Sequence, residues 1–203
     1  MKAAVIIYHK NVGSYIPREW AMQCIESIRV QTYKDFDVLE MNYGGDESLY
    51  EGSNFFYGEQ PNHAYAQNLL LNYAFLLGGY DCAFNVNIDD YYVPTRFEKQ
   101  IAAIEQGYDL VSCNMIHMRD GRQTFTSRFH EKSLRVELSR DHNIIVHPGV
   151  CYSRKFWLEC GGYNPDEIPC EDMKLWQRSL QKGLKFVILP DVLVYYRIHD
   201  NNV

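Results

Sequence analysis

A continuous apolar run opens the chain and limits the folds available to it. Residues 3–8, AAVIIY, contain no alternation with polar residues, which is typical of a strand buried on both faces of a parallel sheet. Helical periodicity and further apolar runs then alternate through residue 115. Because parallel strands need a crossover between them, this order predicts an α/β fold with a mixed, mostly parallel sheet flanked by helices.

Proline and glycine mark the expected element boundaries, since proline suits a first helical turn and glycine ends a helix. Helices are predicted over 17–30, 62–77, 94–106 and 171–182, and a strand leading into a short helix over 151–160. Strands are predicted over 3–8, 37–42, 54–57, 81–88, 109–115, 185–189 and 192–197, the last two flanking Pro190-Asp191. The polar stretch 116–140 is interpreted as a β-ribbon or loops.

Composition restricts the partners. The 203 residues, 46% hydrophobic and 23% charged, predict one globular domain over 1–203. A net charge of -6 without a cluster of Lys and Arg excludes nucleic acid and anionic membranes as principal partners. No 18-residue apolar stretch predicts a transmembrane segment. The six scattered cysteines favour reduced thiols and a cytoplasmic location.

Two carboxylates follow the strand predicted over 81–88. Asn87, Asp89 and Asp90 lie where this strand gives way to a loop. Grouped carboxylates repel one another unless a cation offsets their charge, and hard oxygen ligands suit Mg²⁺ or Mn²⁺. Taken alone, the Asp pair is better explained as a cap for the next helix and the start of a turn than as a metal site.

Two further segments are candidates for chemistry. Glu171 and Asp172 begin a predicted helix, where the helix dipole alone would favour acidic residues. Arg197 and His199 follow an apolar strand, and alternation would place them on one face, with a guanidinium for phosphate and an imidazole for a metal. A frayed polar tail is the alternative for this last segment.

In combination, these segments resemble family 2 glycosyltransferases of the GT-A fold along nearly the whole chain. VIIYHKN is similar to that family's first strand and nucleotide loop, CIESIRVQTYKDFDVLEMN to its helix, turn and second strand, and NHAYAQNLLLNYA to its A-x-A-R-N helix. NVNIDDYYVPTRF resembles its metal-binding segment, HPGVCYSRKFWLECGGYN its acceptor-side segment, EDMKLWQR its catalytic helix and YRIHDNN its closing segment.

The resemblance implies an inverting, metal-dependent hexosyltransferase-type enzyme, with a nucleotide-binding half to about residue 90 and an acceptor-binding half after it. Asp89 and His199 would hold Mn²⁺ or Mg²⁺, with Asp90 assisting. Asp172 would be the general base and Glu171 would orient the acceptor; the two could exchange roles. The other implied contacts are Arg197 with phosphate, Tyr8 and His9 with the base or ribose, and His147, Pro148 and Gly149 with the acceptor.

Three positions depart from the family pattern. Asn42 replaces an aspartate that reads the base, Asn87 replaces the first aspartate of D-x-D, and Gln67 replaces the arginine of A-R-N. An asparagine at position 42 can still accept from N3–H of uracil or thymine and donate to a neighbouring carbonyl. A UDP-sugar is therefore the first expectation for the donor, with dTDP second, and these positions remain the expected donor contacts.

The predicted function is sugar transfer from a UDP-sugar to a hydroxyl of a glycan or other acceptor. A non-catalytic sugar-nucleotide or glycan-binding module and a sugar nucleotidyltransferase are the alternatives. The nucleotidyltransferase would normally carry a Gly-rich basic loop, which VIIYHKNVGS is not. The short sequence after RIHDNN also suggests the catalytic domain of a longer protein. The sugar, acceptor, linkage and oligomeric state are not encoded in any motif above.

Overall fold

The computed structural model describes residues 1–10 and 12–202; Asn11, the last residue of the VIIYHKN segment, lies outside the described residues. The strands are β1 Ala3–His9, β2 Phe36–Asn42, β3 Asn54–Tyr57, β4 Cys82–Asn87, β5 Tyr91–Tyr92, β6 Leu110–Arg119, β7 Arg122–Ser127, β8 Cys151–Ser153 and β9 Phe186–Arg197. The α-helices are α1 Arg18–Arg29, α2 His63–Asn72, α3 Arg96–Glu105, α4 Leu134–Ser139, α5 Arg154–Cys160 and α6 Glu171–Gln181.

All the strands join one mixed sheet, in the order β3-β2-β1-β4-β8-β6-β9-β5 with β7 beside β6. The first four strands in this order pair in parallel. Strand β8 is antiparallel to both of its neighbours, whereas β6 and β9 are parallel. The predicted α/β sheet flanked by helices is confirmed. Most of its parallel pairs are formed by β1 to β4, from the N-terminal half of the chain.

The apolar opening run forms the centre of the parallel part. Strand β1 lies between β2 and β4, and residues 3–7 are completely buried. Its alternate side chains enter two apolar cores, one containing Ala4 and Ile6 and the other containing Ala3, Val5 and Ile7. A strand covered on both faces needs apolar residues at every position, which explains the unbroken run.

Helix α2 begins where Asn62 accepts hydrogen bonds from the backbone N–H groups of Ala64 and Tyr65. The predicted helix continues to Leu77, but its last turn, Tyr73–Leu77, is π-helical. The Gly78 N–H donates to the carbonyl of Tyr73, which satisfies the wider turn. The N-terminus of α2 lies beside the carboxyl ends of the parallel strands.

The strands predicted over 185–189 and 192–197 are one strand, β9, so that prediction was wrong. Pro190 lacks an N–H group for the ladder, and the pairing of β9 with β6 shifts register on either side of Asn114. The Asn114 side-chain amide donates to the carbonyls of Leu189 and Pro190. This side chain supplies donors to two β9 carbonyls at the point where the ladder with β6 is interrupted.

The stretch 116–140 contains the expected β-ribbon, because β6 extends to Arg119 and pairs with β7. Helix α4 was not predicted, since residues 134–139 have too little periodicity to separate a six-residue helix from a loop. Only its Leu134 and Leu138 are buried. Among the described residues, no helix is long and apolar enough to cross a membrane.

The cysteines are free thiols; five are buried and Cys170 is exposed. Burial raises the pKa of the Cys113 thiol to about 12. The five buried thiols pack as small apolar groups. The cytoplasmic location stays a prediction.

Candidate active site

A cleft with a volume of about 330 Å³ opens at the carboxyl ends of β1 and β4. In sheets of this kind, ligands bind beyond the carboxyl ends of the parallel strands. Eight of the sequence-predicted site residues line the cleft: Tyr8, His9, Asn87, Asp89, His147, Pro148, Glu171 and Asp172. Residues from opposite ends of the chain therefore share one cavity.

Asp89 lines one wall of the cleft and bonds to His199, which is outside the set of described residues that line it. The His199 Nε2 lies 3.0 Å from a carboxylate oxygen of Asp89, and the ring of Trp20 lies beside His199 with its centroid 5.4 Å away. The side chains of Asp89 and His199 are 20% and 12% exposed to solvent, respectively. A partly accessible carboxylate beside an imidazole is a suitable pair of ligands for a divalent cation.

The described residues contain no group of three or more His, Cys, Asp or Glu side chains arranged around a common point. Asp89 and His199 supply two ligands, and Mg²⁺ in nucleotide sites often takes only one or two carboxylates, with phosphates and water completing its shell. The residues present therefore fit a cation that is bound together with a diphosphate.

Arg197 supports this wall from behind. Its guanidinium donates to the carbonyl of Asp89 and to Gln23, and lies over the rings of Trp20 and Tyr91 at 5.1 Å and 4.7 Å. It is buried and does not line the cleft. The structure thus places Arg197 under the Asp89 backbone, away from the position expected of a phosphate contact.

Asp90 points away from the cleft. One of its carboxylate oxygens accepts a hydrogen bond from the backbone N–H of Arg197 at 2.8 Å. The other oxygen is buried without a partner among the described residues. Burial raises the pKa of the Asp90 carboxyl well above its usual range, and the neighbouring charge of Asp89 raises it further. Asp90 fixes the end of β9 instead of lining the cleft.

Glu171 and Asp172 form a second acidic wall at the start of α6. The His63 Nε2 lies 2.8 Å from Glu171 Oε1, and Asn143 donates to Asp172 Oδ2 at 2.8 Å. Burial acts to raise the pKa of Glu171, but the hydrogen bond and charge of His63 hold it below its usual value. Both carboxylates line the cleft, as expected for residues that contact an acceptor.

His147 connects this wall to a buried polar network. Its Nε2 lies 2.9 Å from the Tyr163 hydroxyl and 3.3 Å from the Gln67 amide nitrogen. An amide nitrogen can only donate, so Nε2 is an acceptor and the His147 ring is neutral. Burial lowers the pKa of His147, in keeping with the neutral form. Gln67 also donates to Asn85 and is itself completely buried outside the cleft.

The network continues to the β1 side of the cleft. The Asn85 amide donates to Asn87 Oδ1 at 3.2 Å, and the Tyr8 hydroxyl donates to the same oxygen at 2.9 Å. Burial raises the pKa of Tyr8 well above its usual value. Asn87, which stands where the related family has an aspartate, therefore serves as the acceptor for two neutral donors.

His9 lies at the end of β1, against a buried carboxylate. Its Nε2 is 2.9 Å from Glu40 Oε1. The Glu40 carboxylate also accepts hydrogen bonds from Ser48, Ser53 and the backbone N–H groups of Leu49 and Tyr50. Glu40 thus joins the floor of the cleft to the loop that follows β2.

Two further predicted contacts, Asn42 and Gly149, also lie outside the cleft lining. The Asn42 amide donates to the carbonyl of Glu47, and its oxygen accepts the Gly44 N–H, so its side chain shapes a loop. Gly149 is packed in the core, where an added Cβ would lie 2.8 Å from Cys113 Sγ and 2.9 Å from Val194 Cγ2. The absent side chain of Gly149 is explained by packing instead of by contact with an acceptor.

Sequence reasoning missed His63 and Glu40. A histidine in a first helical turn opposes the helix dipole when protonated, and this was the available signal at His63. Glu40 stands inside the apolar strand FDVLEMN, where an ionisable residue needs buried partners. Neither partner was visible in the sequence, because Glu171 is 108 residues from His63.

No family model matches the chain. An uncharacterized glycosyltransferase of Haemophilus influenzae is 31% identical over 142 residues, which cover 66% of this chain and 51% of the relative. The O-antigen biosynthesis glycosyltransferase WbnJ of Escherichia coli is 25% identical over 193 residues, covering 88% and 74%. The chain is similar in sequence to glycosyltransferases. It spans about half the length of the Haemophilus influenzae relative.

The fold has a solved counterpart. The crystal structure of S. aureus TarS 1–349 in complex with UDP-GlcNAc superimposes with a TM-score of 0.73 at 15% identity, over 98% of this chain and 59% of TarS 1–349. The same protein has also been solved with UDP. At this identity the likeness establishes a shared fold, and the bound ligands are properties of TarS.

Proposed function

We propose that this chain is an inverting glycosyltransferase of family 2 with a GT-A fold, which moves a sugar from a UDP-sugar to a hydroxyl of a glycan or another acceptor. The observation that carries the proposal is the placement of Asp89 and Asp172 on the lining of one cleft. The relatives that are named glycosyltransferases and the UDP and UDP-GlcNAc complexes of TarS support the donor class.

Asp89 and His199 would hold the Mn²⁺ or Mg²⁺ ion, which supplies positive charge against the negative charge that develops on the departing diphosphate. Arg197 holds the Asp89 backbone in place through its bond to the carbonyl. The guanidinium thereby orients the ligand wall without contacting phosphate itself.

Asp172 would act as the general base. The acceptor oxygen forms a bond to the anomeric carbon while the bond from that carbon to the phosphate oxygen breaks. The acceptor proton passes to the Asp172 carboxylate, and the bonding electron pair leaves with UDP. Attack on the face opposite the leaving group inverts the anomeric centre. Asn143 orients the Asp172 carboxylate by donating to its Oδ2.

Isothermal titration with UDP, dTDP and GDP, each with Mn²⁺ and then with EDTA, tests the donor class. Metal-dependent binding of UDP alone is expected, followed by UDP release from UDP-GlcNAc or another UDP-sugar when hydroxyl acceptors are added. Affinity for UDP without release of nucleotide from any UDP-sugar would favour the non-catalytic binding module. Binding of none of the three nucleotides would contradict the proposal.

A further inference from the structure

The contact between His63 and Glu171 joins the first turns of two helices that border the cleft. His63 is the first residue of α2, and Glu171 is the first residue of α6. The distance between His63 Nε2 and Glu171 Oε1 is 2.8 Å. An ionised carboxylate can only accept, so His63 Nε2 carries the proton and donates it to this bond.

His63 is not needed to cap α2, the helix in which it lies. Asn62 already caps α2 by accepting from the Ala64 and Tyr65 N–H groups. A protonated histidine at this end is opposed by the helix dipole. The position of His63 therefore requires another explanation, and its bond to Glu171 on a different helix provides one.

Glu171 has one engaged oxygen and one free oxygen. Oε1 accepts from His63, whereas Oε2 is buried and has no hydrogen-bond partner among the described residues. The residue as a whole is 6% exposed and lines the cleft. A buried carboxylate oxygen without a donor is unfavourable. Oε2 therefore has acceptor capacity left for a hydroxyl group of a ligand bound in the cleft.

The ionised state of Glu171 depends on its neighbours. Burial acts to raise its pKa, and the hydrogen bond and charge of His63 lower it, together with a hydrogen bond from the backbone N–H of Glu171. Asp172, the next residue along α6, is the other charged group at this wall. His63 is thus the principal group that opposes the effect of burial on Glu171.

We propose that His63 is a positioning residue for the acceptor: it holds Glu171 through Oε1, so that Oε2 accepts a hydrogen bond from an acceptor hydroxyl next to the one that Asp172 deprotonates. The acceptor would then be a sugar with two neighbouring hydroxyl groups. This inference rests on the proposed function, and it adds a residue and an acceptor feature to it.

The test compares His63→Gln, which keeps a donor without a charge, with His63→Phe, which keeps neither. His142→Gln is the matched control, because His142 forms a similar bond of 2.7 Å with Glu137 on the exposed surface. Each protein is checked for its fold by circular dichroism. The probes are UDP for binding, and glucose, galactose and N-acetylglucosamine as acceptors with UDP-GlcNAc as donor.

Both His63 variants should bind UDP as the wild type does, while transfer to the best acceptor falls about tenfold or more, as expected for loss of a charge-assisted hydrogen bond. The loss should be larger in His63→Phe and should include a higher KM for the acceptor. The Glu171 carboxyl, followed by carbon-detected NMR, should titrate at higher pH in both variants and be unchanged in His142→Gln.

Normal transfer by His63→Phe, or an unchanged titration of Glu171 in that variant, would overturn the inference. A wild-type protein that does not bind UDP would instead contradict the proposed donor. The two failures are therefore distinguishable, because the first is measured on a protein whose nucleotide binding has been established.

Discussion

The carboxylate of Asp89 and the imidazole of His199 are 3.0 Å apart, although 110 residues separate them in the chain. The buried guanidinium of Arg197 donates to the backbone carbonyl of Asp89 and so holds that side of the pair. Removing the carboxylate in Asp89→Ala should weaken UDP binding in Mn²⁺ by about tenfold or more, toward the value in EDTA. Titration calorimetry measures this, with Asp191→Asn, at an exposed pair with Lys99, as the control. Equal metal dependence in Asp89→Ala and wild type would exclude Asp89 as a ligand.

Asp172→Asn should separate binding from turnover. The amide cannot take a proton from the acceptor, so kcat should fall by about 10²-fold or more, while the affinity for UDP stays within about twofold. The control is Asp141→Asn. Asp141 is exposed and accepts a hydrogen bond from Gln177, which lies on α6, the helix that also contains Asp172. Equal loss of UDP binding in Asp172→Asn and Asp89→Ala would contradict the separate roles.

Arg197→Lys should lower the free energy of unfolding by about 1–3 kcal/mol, because a lysine cannot bond to Asp89 and Gln23 together while stacking on two aromatic rings. Urea unfolding measures the change. Arg29→Lys, at an exposed position over Tyr50, should have little effect. Unchanged stability with lost UDP binding would instead indicate direct contact between Arg197 and phosphate.

Glu40→Gln should change how stability depends on pH. Burial acts to raise the pKa of Glu40, but the bonds from His9, Leu49, Ser53 and Ser48 hold it below its usual value of 4.5. A lowered folded-state pKa stabilises the protein above the unfolded-state pKa, and this stabilisation is lost as the pH falls from about 4.5 through the folded-state value.

Wild type should therefore lose more stability than Glu40→Gln between pH 7 and pH 3, while the variant is less stable at pH 7. Urea unfolding at both pH values measures this difference. Glu26→Gln, at an exposed position, should follow the wild-type profile. Parallel profiles for wild type and Glu40→Gln would show that Glu40 does not contribute.

Gly149→Ala should lower the free energy of unfolding by about 1–3 kcal/mol, since the new methyl group would overlap Cys113 and Val194 in a filled core. Thermal unfolding measures the change. A variant with unchanged Tm and reduced transfer would restore the predicted role of Gly149 as an acceptor contact.

The sequence predicted the elements that repeat a regular pattern. The strand 54–57 has the predicted bounds, and the bounds of β1 and β2 differ from the prediction by one residue. The split at Pro190 was wrong because β9 continues past the proline through a register shift, where the Asn114 amide of the neighbouring strand donates to the carbonyls of Leu189 and Pro190. Such a compensation depends on tertiary structure and leaves no periodic signal.

The site was predictable where the resemblance marked short segments, as at Asp89 and Glu171. Which face a side chain takes was harder to predict. Alternation placed Arg197 and His199 together, yet Arg197 enters the core and His199, beyond the end of β9, bonds to the Asp89 carboxylate. Asn42 and Gln67 are occupied by neighbouring groups that only the folded chain brings near.

The Asn114 amide has a consequence for how this sheet tolerates change. A slip of one residue between β6 and β9 beyond Pro190 would send alternate side chains to opposite faces of the sheet. Arg197 would then leave the Asp89 backbone, and the chain leading to His199 would be displaced with it. The alignment of the Asp89 wall of the cleft therefore depends on the Asn114 amide, which bonds to β9 upstream of Arg197.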